Sequence, residues 1–209
     1  MSDTHRSSPA IGLWEFNSIA DGVWIADAIA KHAPVMTITT GTTQPGHYLI
    51  LAAGDTASVD VAVDVVADLA PSSLLDHIYL SDVDSQVADA ITSGRDVVTI
   101  GAEAVGVIET TTVAAAIGAA DAAVKEAEVG LGVLRLADGL GGRAFFIVDG
   151  LVGDVDSSVA AAVESAGDRL AGHRVISNLT DEVRADLASS SAFGSTIVEP
   201  SSATKVPEQ

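Results

Sequence analysis

The stretch of the chain that most resembles a cofactor-binding motif is the glycine-rich segment at residues 139–144. It fits a degenerate form of the G-x-G-x-x-A pattern that binds dinucleotides. That pattern works only where a strand leads into a helix, because the amides at the helix N-terminus hold the phosphates. Here the segment leads into Phe145, Phe146, Ile147 and Val148, which predict a strand. We therefore predict no nucleotide site and no cofactor.

The titratable residues show no catalytic or metal-binding spacing either. The five histidines form no H-x-x-x-H or H-E-x-x-H pair, and the lack of cysteine excludes thiolate nucleophiles, cysteine-ligated zinc and cysteine-bound iron–sulfur clusters. Glu15 and Glu109 could act as an acid–base pair, but they occupy equivalent positions in a duplicated sequence, which favours matching structural hydrogen bonds. No Ser or Thr has recognisable support from a His–Asp pair. The sequence predicts a protein that is not an enzyme and binds no metal.

Composition limits the kinds of partner. Among 209 residues, 29 are acidic and 10 are basic, and the formal charge of −19 disfavours nucleic acid and anionic membrane surfaces. No run of about 18 apolar residues is present, so we expect no membrane span. Hydrophobic residues make up 48% but aromatic ones only 4%, so the core must consist of Ala, Val, Ile and Leu. Such cores suit small domains that bury surface against neighbours.

An internal repeat organises the chain. Glu15 aligns with Glu109, and Lys31 with Lys125, at a constant shift of 94 positions. The shift later becomes 96, because the second copy has two extra residues in one loop, and His77 then aligns with His173. The predicted boundaries are a first domain at 10–92, a linker at 93–103, a second domain at 104–190 and a flexible C-terminal tail at 191–209.

Each copy predicts the same series of elements. A short apolar strand precedes Asn17-Ser18 or Thr111-Thr112, which are good helix N-caps. The next apolar residues fall at i, i+4, i+7 and i+11, which is typical of an amphipathic helix. Two strands, a second helix, a further strand and a polar third helix follow, with the paired strands at 35–40 and 48–53 or at 129–136 and 144–148. The order β-α-β-β-α-β-α predicts an α+β fold with helices on a small, mainly antiparallel sheet.

Two segments carry a family resemblance. Residues 106–129, which open with Gly-Val-Ile-Glu-Thr and meet Lys125 after the helix, resemble the start of a bacterial microcompartment shell domain, and the hairpin at 135–146 resembles that family's pore loop. The first copy repeats both features more loosely. The resemblance implies two tandem ferredoxin-like shell domains of the unpermuted type, in the class that forms trimers mimicking the hexamers of single-domain relatives. The family's Pro-Arg-Pro segment is replaced by Ser81-Asp82 and Ser177-Asn178.

The resemblance also implies site residues. The loops at 41–47 and 137–143 would face the symmetry axis, and Lys31 and Lys125 would contact the neighbouring tile. His47 and Arg143, which are repeat equivalents, could offset the charge of Asp138. The predicted pore-lining residues are Thr42, Thr43, Gln44, Pro45, Gly46, Asp138, Gly139, Leu140, Gly141 and Gly142.

These observations predict a structural shell tile in the cytoplasm of a bacterium. The expected assembly is a homotrimeric pseudohexamer with a central pore for small polar metabolites. Its expected partners are other shell proteins, both hexamers and pentamers, and encapsulated enzymes. Two alternatives stay open: an oligomeric small-ligand-binding or sensor protein on a duplicated ferredoxin-like fold, and an enzyme with a site in the interdomain groove. Assembly into discs or sheets favours the tile, whereas a saturable ligand without assembly favours the sensor.

Overall fold

A computed structural model describes residues 9–69, 71–93, 101–137 and 139–189. The first repeat consists of β1 (Ala10–Phe16), α1 (Ile19–His32), β2 (Thr37–Thr43), β3 (His47–Gly54), α2 (Thr56–Leu69), β4 (Leu74–Leu80) and α3 (Ser85–Ser93). The second consists of β5 (Ala104–Thr110), α4 (Val113–Glu126), β6 (Gly130–Leu136), β7 (Ala144–Gly150), α5 (Val152–Ala166), a 3-10 turn (Gly167–Arg169), β8 (Leu170–Ser177) and α6 (Asp181–Ser189). Most of the predicted linker and all of the predicted tail lie outside the described residues.

The two repeats form equivalent four-stranded sheets. Their strand orders are β2-β3-β1-β4 and β6-β7-β5-β8, and the strand pairs within them are antiparallel. Leu13 pairs with Leu51 in the first sheet, and the repeat-equivalent residues Val107 and Ile147 pair in the second. The predicted α+β class, with two tandem ferredoxin-like domains, is confirmed.

The first helix of each repeat begins where the sequence predicts. Ser18 Oγ accepts a hydrogen bond from the amide of Asp21, and Thr112 Oγ1 accepts one from the amide of Ala115. Each bond satisfies an amide that has no partner within its helix. The two helices have the same length of 14 residues and start at equivalent positions, so differences in their burial come from what packs against them.

The hairpin of the first repeat is tighter than predicted. β2 and β3 pair as far as Thr43 opposite His47, so the expected loop at 41–47 is wrong and only a turn at 44–46 remains. Thr42 and Thr43 are therefore strand residues, because β-branched threonines favour extended backbone and continue the ladder past the apolar part of the strand. In the second repeat the strands end at Leu136 and resume at Ala144, as expected.

The hydrophobic core of the second domain continues into the first domain. One cluster combines buried residues of α4, β5 and β7 with Ile11, Leu13, Val83, Val87 and Ala90 from the first repeat. A separate cluster around Trp14, Phe16 and Ile50 fills the first domain alone. The first domain thus contributes side chains to two cores, which ties the domains together through apolar burial.

Gly106 offers a test of how closely α5 packs on β5 in the second domain. A Cβ at this position would lie 2.5 Å from Val159 Cγ2 and 3.0 Å from Val148 Cγ2. We expect Gly106→Ala to lower the free energy of unfolding by about 1–3 kcal/mol, because the β5–α5 layer has no space for a methyl group. The matched control is Gly153→Ala in α5, where an added Cβ meets no atom within 4 Å. Urea unfolding followed by circular dichroism should show that the free energy of unfolding of Gly153→Ala is unchanged or raised by up to about 1 kcal/mol. Equal free energies of unfolding for the two variants would contradict the packing argument.

Candidate functional site

The turn of the first hairpin lies against the loop of the second. A Cβ on Gly142 would be 3.1 Å from Pro45 Cδ, 3.2 Å from the carbonyl oxygen of Gln44 and 3.4 Å from His47 Cε1. Gly142 also has a φ of 86°, which disfavours any residue with a side chain. The fold therefore brings the two predicted pore hairpins together at one place on the chain, although they are separated by almost a hundred residues of sequence.

Backbone hydrogen bonds define the shape of both hairpins. In the second, the amide of Ala137 donates to the carbonyl of Arg143 at 3.1 Å, and the amide of Arg143 donates to the carbonyl of Leu140 at 3.3 Å. In the first, the amide of Gly46 donates to the carbonyl of Thr43 at 2.9 Å. Asp138, which was predicted to line the pore, lies outside the described residues.

Each hairpin is anchored to the first strand of its domain by a glutamate. Glu15 Oε1 lies 2.9 Å from His47 Nδ1, and Arg143 Nη1 donates to Glu109 Oε1 at 2.6 Å. The expectation of matching structural bonds for the two glutamates is confirmed. His47 and Arg143, which were predicted to offset the charge of Asp138, are thus bonded to these carboxylates beside the two turns.

The two glutamates differ in their surroundings. Glu15 is completely buried, and its second oxygen accepts a hydrogen bond of 2.9 Å from the amide of Val113, the first residue of α4. An amide at a helix N-terminus carries partial positive charge and lacks an intrahelical partner, so it suits a buried carboxylate. The side chain of Glu109 is 43% exposed. Glu15 therefore joins the first hairpin to the second domain, whereas Glu109 anchors only its own hairpin.

Further polar contacts join β4 to the start of α4, next to the partners of Glu15. Thr112 Oγ1 donates to Asp76 Oδ2 at 2.5 Å. Arg169 Nη2 donates to the carbonyl oxygen of Leu75 at 2.7 Å, and its Nε lies 3.5 Å from Asp76 Oδ2. These bonds flank one end of the contact surface between β4–α3 of the first domain and α4–β6 of the second, which we call the internal seam.

The other end of the internal seam is held by α3. The amide of Asp84 donates to Asp121 Oδ1 at 2.7 Å, next to the start of that helix. Gln86 Oε1 accepts from the amide of Leu131 at 2.9 Å, and Gln86 Nε2 donates to the carbonyl of Val129 at 3.3 Å. Gln86 therefore bonds the amide of a residue in β6 and the carbonyl of the residue that precedes this strand. Sequence reasoning missed this residue because its partners come from the other repeat.

The two lysines predicted at the tile edge occupy different environments. Lys31 pairs with Asp27 at 2.5 Å, and both side chains are more than half exposed. Lys125 pairs with Asp121 at 2.7 Å and also donates to the carbonyl of Asp82, across the internal seam. The i,i+4 spacing of the aspartate and lysine is visible in the sequence of both repeats, but the seam contact of Lys125 is not. The role of both lysines in tiling stays a prediction.

A metal site and a membrane span each require a particular arrangement of residues in the described part of the chain. Within it, no cluster of three or more His, Asp or Glu residues could hold a metal ion. No helix in the same ranges is long and apolar enough to cross a bilayer. Hydrogen bonds from Ser58 lower the pKa of Asp55 at the start of α2, and a hydrogen bond with Asp60 raises the pKa of Tyr79. These two shifts concern structural contacts in the first domain and not the hairpins.

Two ferredoxin-like domains that share a seam and bring together equivalent hairpins define a tandem-domain α+β protein. The BMC domain family matches the chain twice, over residues 10–83 and 104–179. The chain therefore belongs to the family of bacterial microcompartment shell proteins. It is a structural shell protein, and its place is the microcompartment shell.

Individual relatives agree with this assignment. The chain is 40% identical over 162 residues to the bacterial microcompartment shell protein PduT of Citrobacter freundii, covering 78% of this chain and 87% of the relative. It is 37% identical to a microcompartment protein of Desulfitobacterium hafniense DCB of known crystal structure, with a TM-score of 0.72 over 85% of this chain and 99% of the other. The fused permuted hexameric shell protein MSM0275 from the RMM microcompartment, at 22% identity and a TM-score of 0.56 over 76% of this chain and 83% of the other, shares the fold.

The two glutamates provide a matched pair of variants. Glu15→Ala leaves the buried amide of Val113 without a partner, and we expect it to lower the free energy of unfolding by about 1–3 kcal/mol. Glu109→Ala removes a partly exposed ion pair and should cost less than about 1 kcal/mol. Urea denaturation of both variants measures the difference. Equal losses would show that Glu15 does not join the domains as described.

Proposed function

We propose that three copies of the chain close into a pseudohexameric ring with a central pore, and that this ring tiles with other shell proteins. The observation that supports the ring is the internal seam, which joins unlike surfaces, β4–α3 of one domain and α4–β6 of the next. A contact between unlike surfaces leaves one surface of each kind unused at the two ends. Such contacts repeat until the ring closes, and sixfold closure needs three chains of two domains.

The position of the hairpins supports a pore at the centre of this ring. Because the turn at 44–46 touches Gly142, both hairpins of one chain would lie on the same side of the seam and would recur three times around the axis. The predicted lining offers the hydroxyl of Thr42, the amide of Gln44 and backbone groups of Gly139 and Gly141. Groups of this kind replace hydration without binding a solute tightly, which conduction of small polar metabolites requires.

Electrostatics at the pore depends on three copies of Asp138. At a separation of about 10 Å in water, each pair of carboxylates repels by only about 0.4 kcal/mol, and salt reduces this further. Charge would therefore bias the selectivity of a hydrated opening only gently. His47 and Arg143 are bonded to Glu15 and Glu109, so this bias would come mainly from Asp138 itself.

The interdomain groove supports a structural rather than a catalytic role. It is lined by aliphatic and threonine side chains without any charged group among its described lining residues, which include Leu13, Thr40, Leu51, Ile91, Val113 and Ile117. A general acid, a general base or a nucleophile activated by one requires a titratable side chain within hydrogen-bond reach of substrate. We therefore propose that the chain is not an enzyme and that encapsulated enzymes are its partners rather than its activity.

The mass in solution tests the ring. Native mass spectrometry and light scattering should give three times the chain mass of 21.1 kDa. Electron microscopy of the same sample, alone or with single-domain shell proteins, should show discs, sheets or closed shells. A stable monomer would contradict the proposed ring, and a saturable small ligand without any assembly would favour the sensor alternative.

Lys31 tests the proposed tile edge. We expect Lys31→Ala to form fewer or smaller sheets in negative-stain images while the trimer persists, because the apolar face of α1, and not this exposed lysine, would hold neighbouring chains of one ring together. Each exposed contact contributes only about 0–1 kcal/mol, but it recurs along every edge. The control is Val61→Ala on α2, which removes part of another exposed side chain. Loss of the trimer itself would place Lys31 between chains of one ring and not at the tile edge.

A further inference from the structure

The first helix of each repeat is buried to very different extents. In α4, ten of 14 residues are buried, including Val113 and Ile117, which pack at the internal seam. In α1 only Gly22, Ile25 and Ile29 are buried. The residues of α1 that are equivalent to Val113 and Ile117 are Ile19 and Val23, which are 43% and 50% exposed. Helix α1 of the first domain therefore exposes an apolar face that is equivalent to the face of α4 buried at the internal seam.

The opposite side of the second domain shows the complementary difference. Val87 of α3 is completely buried in the internal seam, whereas its equivalent on α6, Val183, is 46% exposed. Leu80 of β4 is partly buried against the same core, and its equivalent on β8, Ile176, is 38% exposed. The chain thus has two exposed surfaces, α1–β2 on the first domain and β8–α6 on the second. They are the repeat equivalents of the two sides of the internal seam. We call this pair of surfaces the open seam.

One pair of residues changes its chemistry between the two seams. In the internal seam a Cβ on Gly118 of α4 would lie only 3.0 Å from Ile78 Cδ1 of β4, so the isoleucine packs directly on the glycine. The equivalent of Gly118 on α1 is Trp24, which is 50% exposed. The equivalent of Ile78 on β8 is Arg174, an exposed residue whose guanidinium donates to the carbonyl of His173. The glycine of the internal seam is thus replaced by a tryptophan, and the isoleucine by an arginine.

We infer that a second copy of this chain covers the open seam and places Arg174 of one chain on the indole ring of Trp24 of the next. This inference rests on the proposed ring and names the contact that closes it. A guanidinium over an indole ring gains a cation–π attraction that is strongest for tryptophan. The stem of the arginine covers the apolar face of α1 at the same time. The open seam is thereby joined by an arginine on a tryptophan, and the internal seam by an isoleucine on a glycine.

The chain's own fold restricts which surfaces can meet. The β4–α3 surface of the first domain is already occupied by α4, so β8–α6 has only α1–β2 of another chain as its repeat-equivalent partner. An added chain must therefore present its first domain to the second domain of the previous chain. The tryptophan–arginine pair makes this junction chemically distinct from any contact that the internal seam could offer. First and second domains then alternate around the ring.

Cysteine cross-linking tests the contact directly, because the chain contains no cysteine of its own. In a variant with both Trp24→Cys and Arg174→Cys, a short bifunctional thiol reagent should link chains into covalent dimers and trimers on denaturing gels. The control carries Leu151→Cys with Arg174→Cys. Leu151 is exposed, and its repeat equivalent, Asp55, bonds to Ser58 within its own domain. Cross-linking of the control as efficient as that of the test pair would overturn the inference.

The energetic contribution of the pair is tested by dilution. We expect Trp24→Ala and Arg174→Ala each to raise the concentration at which the trimer half-dissociates by about tenfold or more, since the pair recurs at three junctions. The double variant Trp24→Gly with Arg174→Ile transplants the internal pair into the open seam and should associate more tightly than Trp24→Gly alone. The control Leu151→Ala should dissociate like the unmodified chain.

The outcomes separate this inference from the proposed ring. An unmodified chain that is not trimeric would remove the ring and the inference together. A trimer in which both single variants dissociate like the unmodified chain, and in which the cysteine pair does not cross-link, would leave the ring in place and overturn the assigned contact. A trimer weakened by both substitutions and trapped by the cysteine pair would establish it.

Discussion

The burial of α4 between the two domains is the constraint on which the rest of the structure depends. This helix packs on its own sheet, on α5 and on β4 of the first domain, so it has little surface left for solvent. Its sequence is rich in alanine, which allows close approach on several sides at low side-chain entropy cost. The buried carboxylate of Glu15 accepts a hydrogen bond from the first amide of the helix and so holds the N-terminus of α4 beside the first hairpin. The contact between the hairpins follows from that arrangement.

The two repeats share one backbone arrangement but differ in the burial and bonding of equivalent side chains. Asp121 is buried and accepts the amide of Asp84, whereas its equivalent Asp27 is exposed and pairs with Lys31 alone. Glu15 is buried and Glu109 is partly exposed, although each anchors a hairpin. A duplicated domain can thus keep its backbone geometry and change the strength of each junction through a few side chains. This is how a tandem shell protein can differ from six identical domains.

The internal seam and the proposed junctions between chains differ in how they depend on concentration. The hydrogen bonds of Asp84, Gln86 and Lys125 at the internal seam form within one chain, so this junction does not depend on concentration. The proposed junctions between chains would form by association and would therefore respond to concentration. A charge of −19 on 209 residues keeps free chains apart in solution and favours contacts that are apolar or locally neutralised. Apolar residues on α1 and α6 have that character.

Short-range pattern in the sequence determined the element order, the helix N-caps at Ser18 and Thr112, the duplication and the family. These features depend on neighbours a few residues apart, or on similarity between the copies, so they can be seen without a structure. The extension of β2 through Thr43 could not, because strand ends depend on pairing with the opposite strand. Nor could the buried state of Glu15, the role of Gln86 or the seam contact of Lys125. Each of these depends on groups that come from the other repeat, and only the packing of the two domains decides which groups meet.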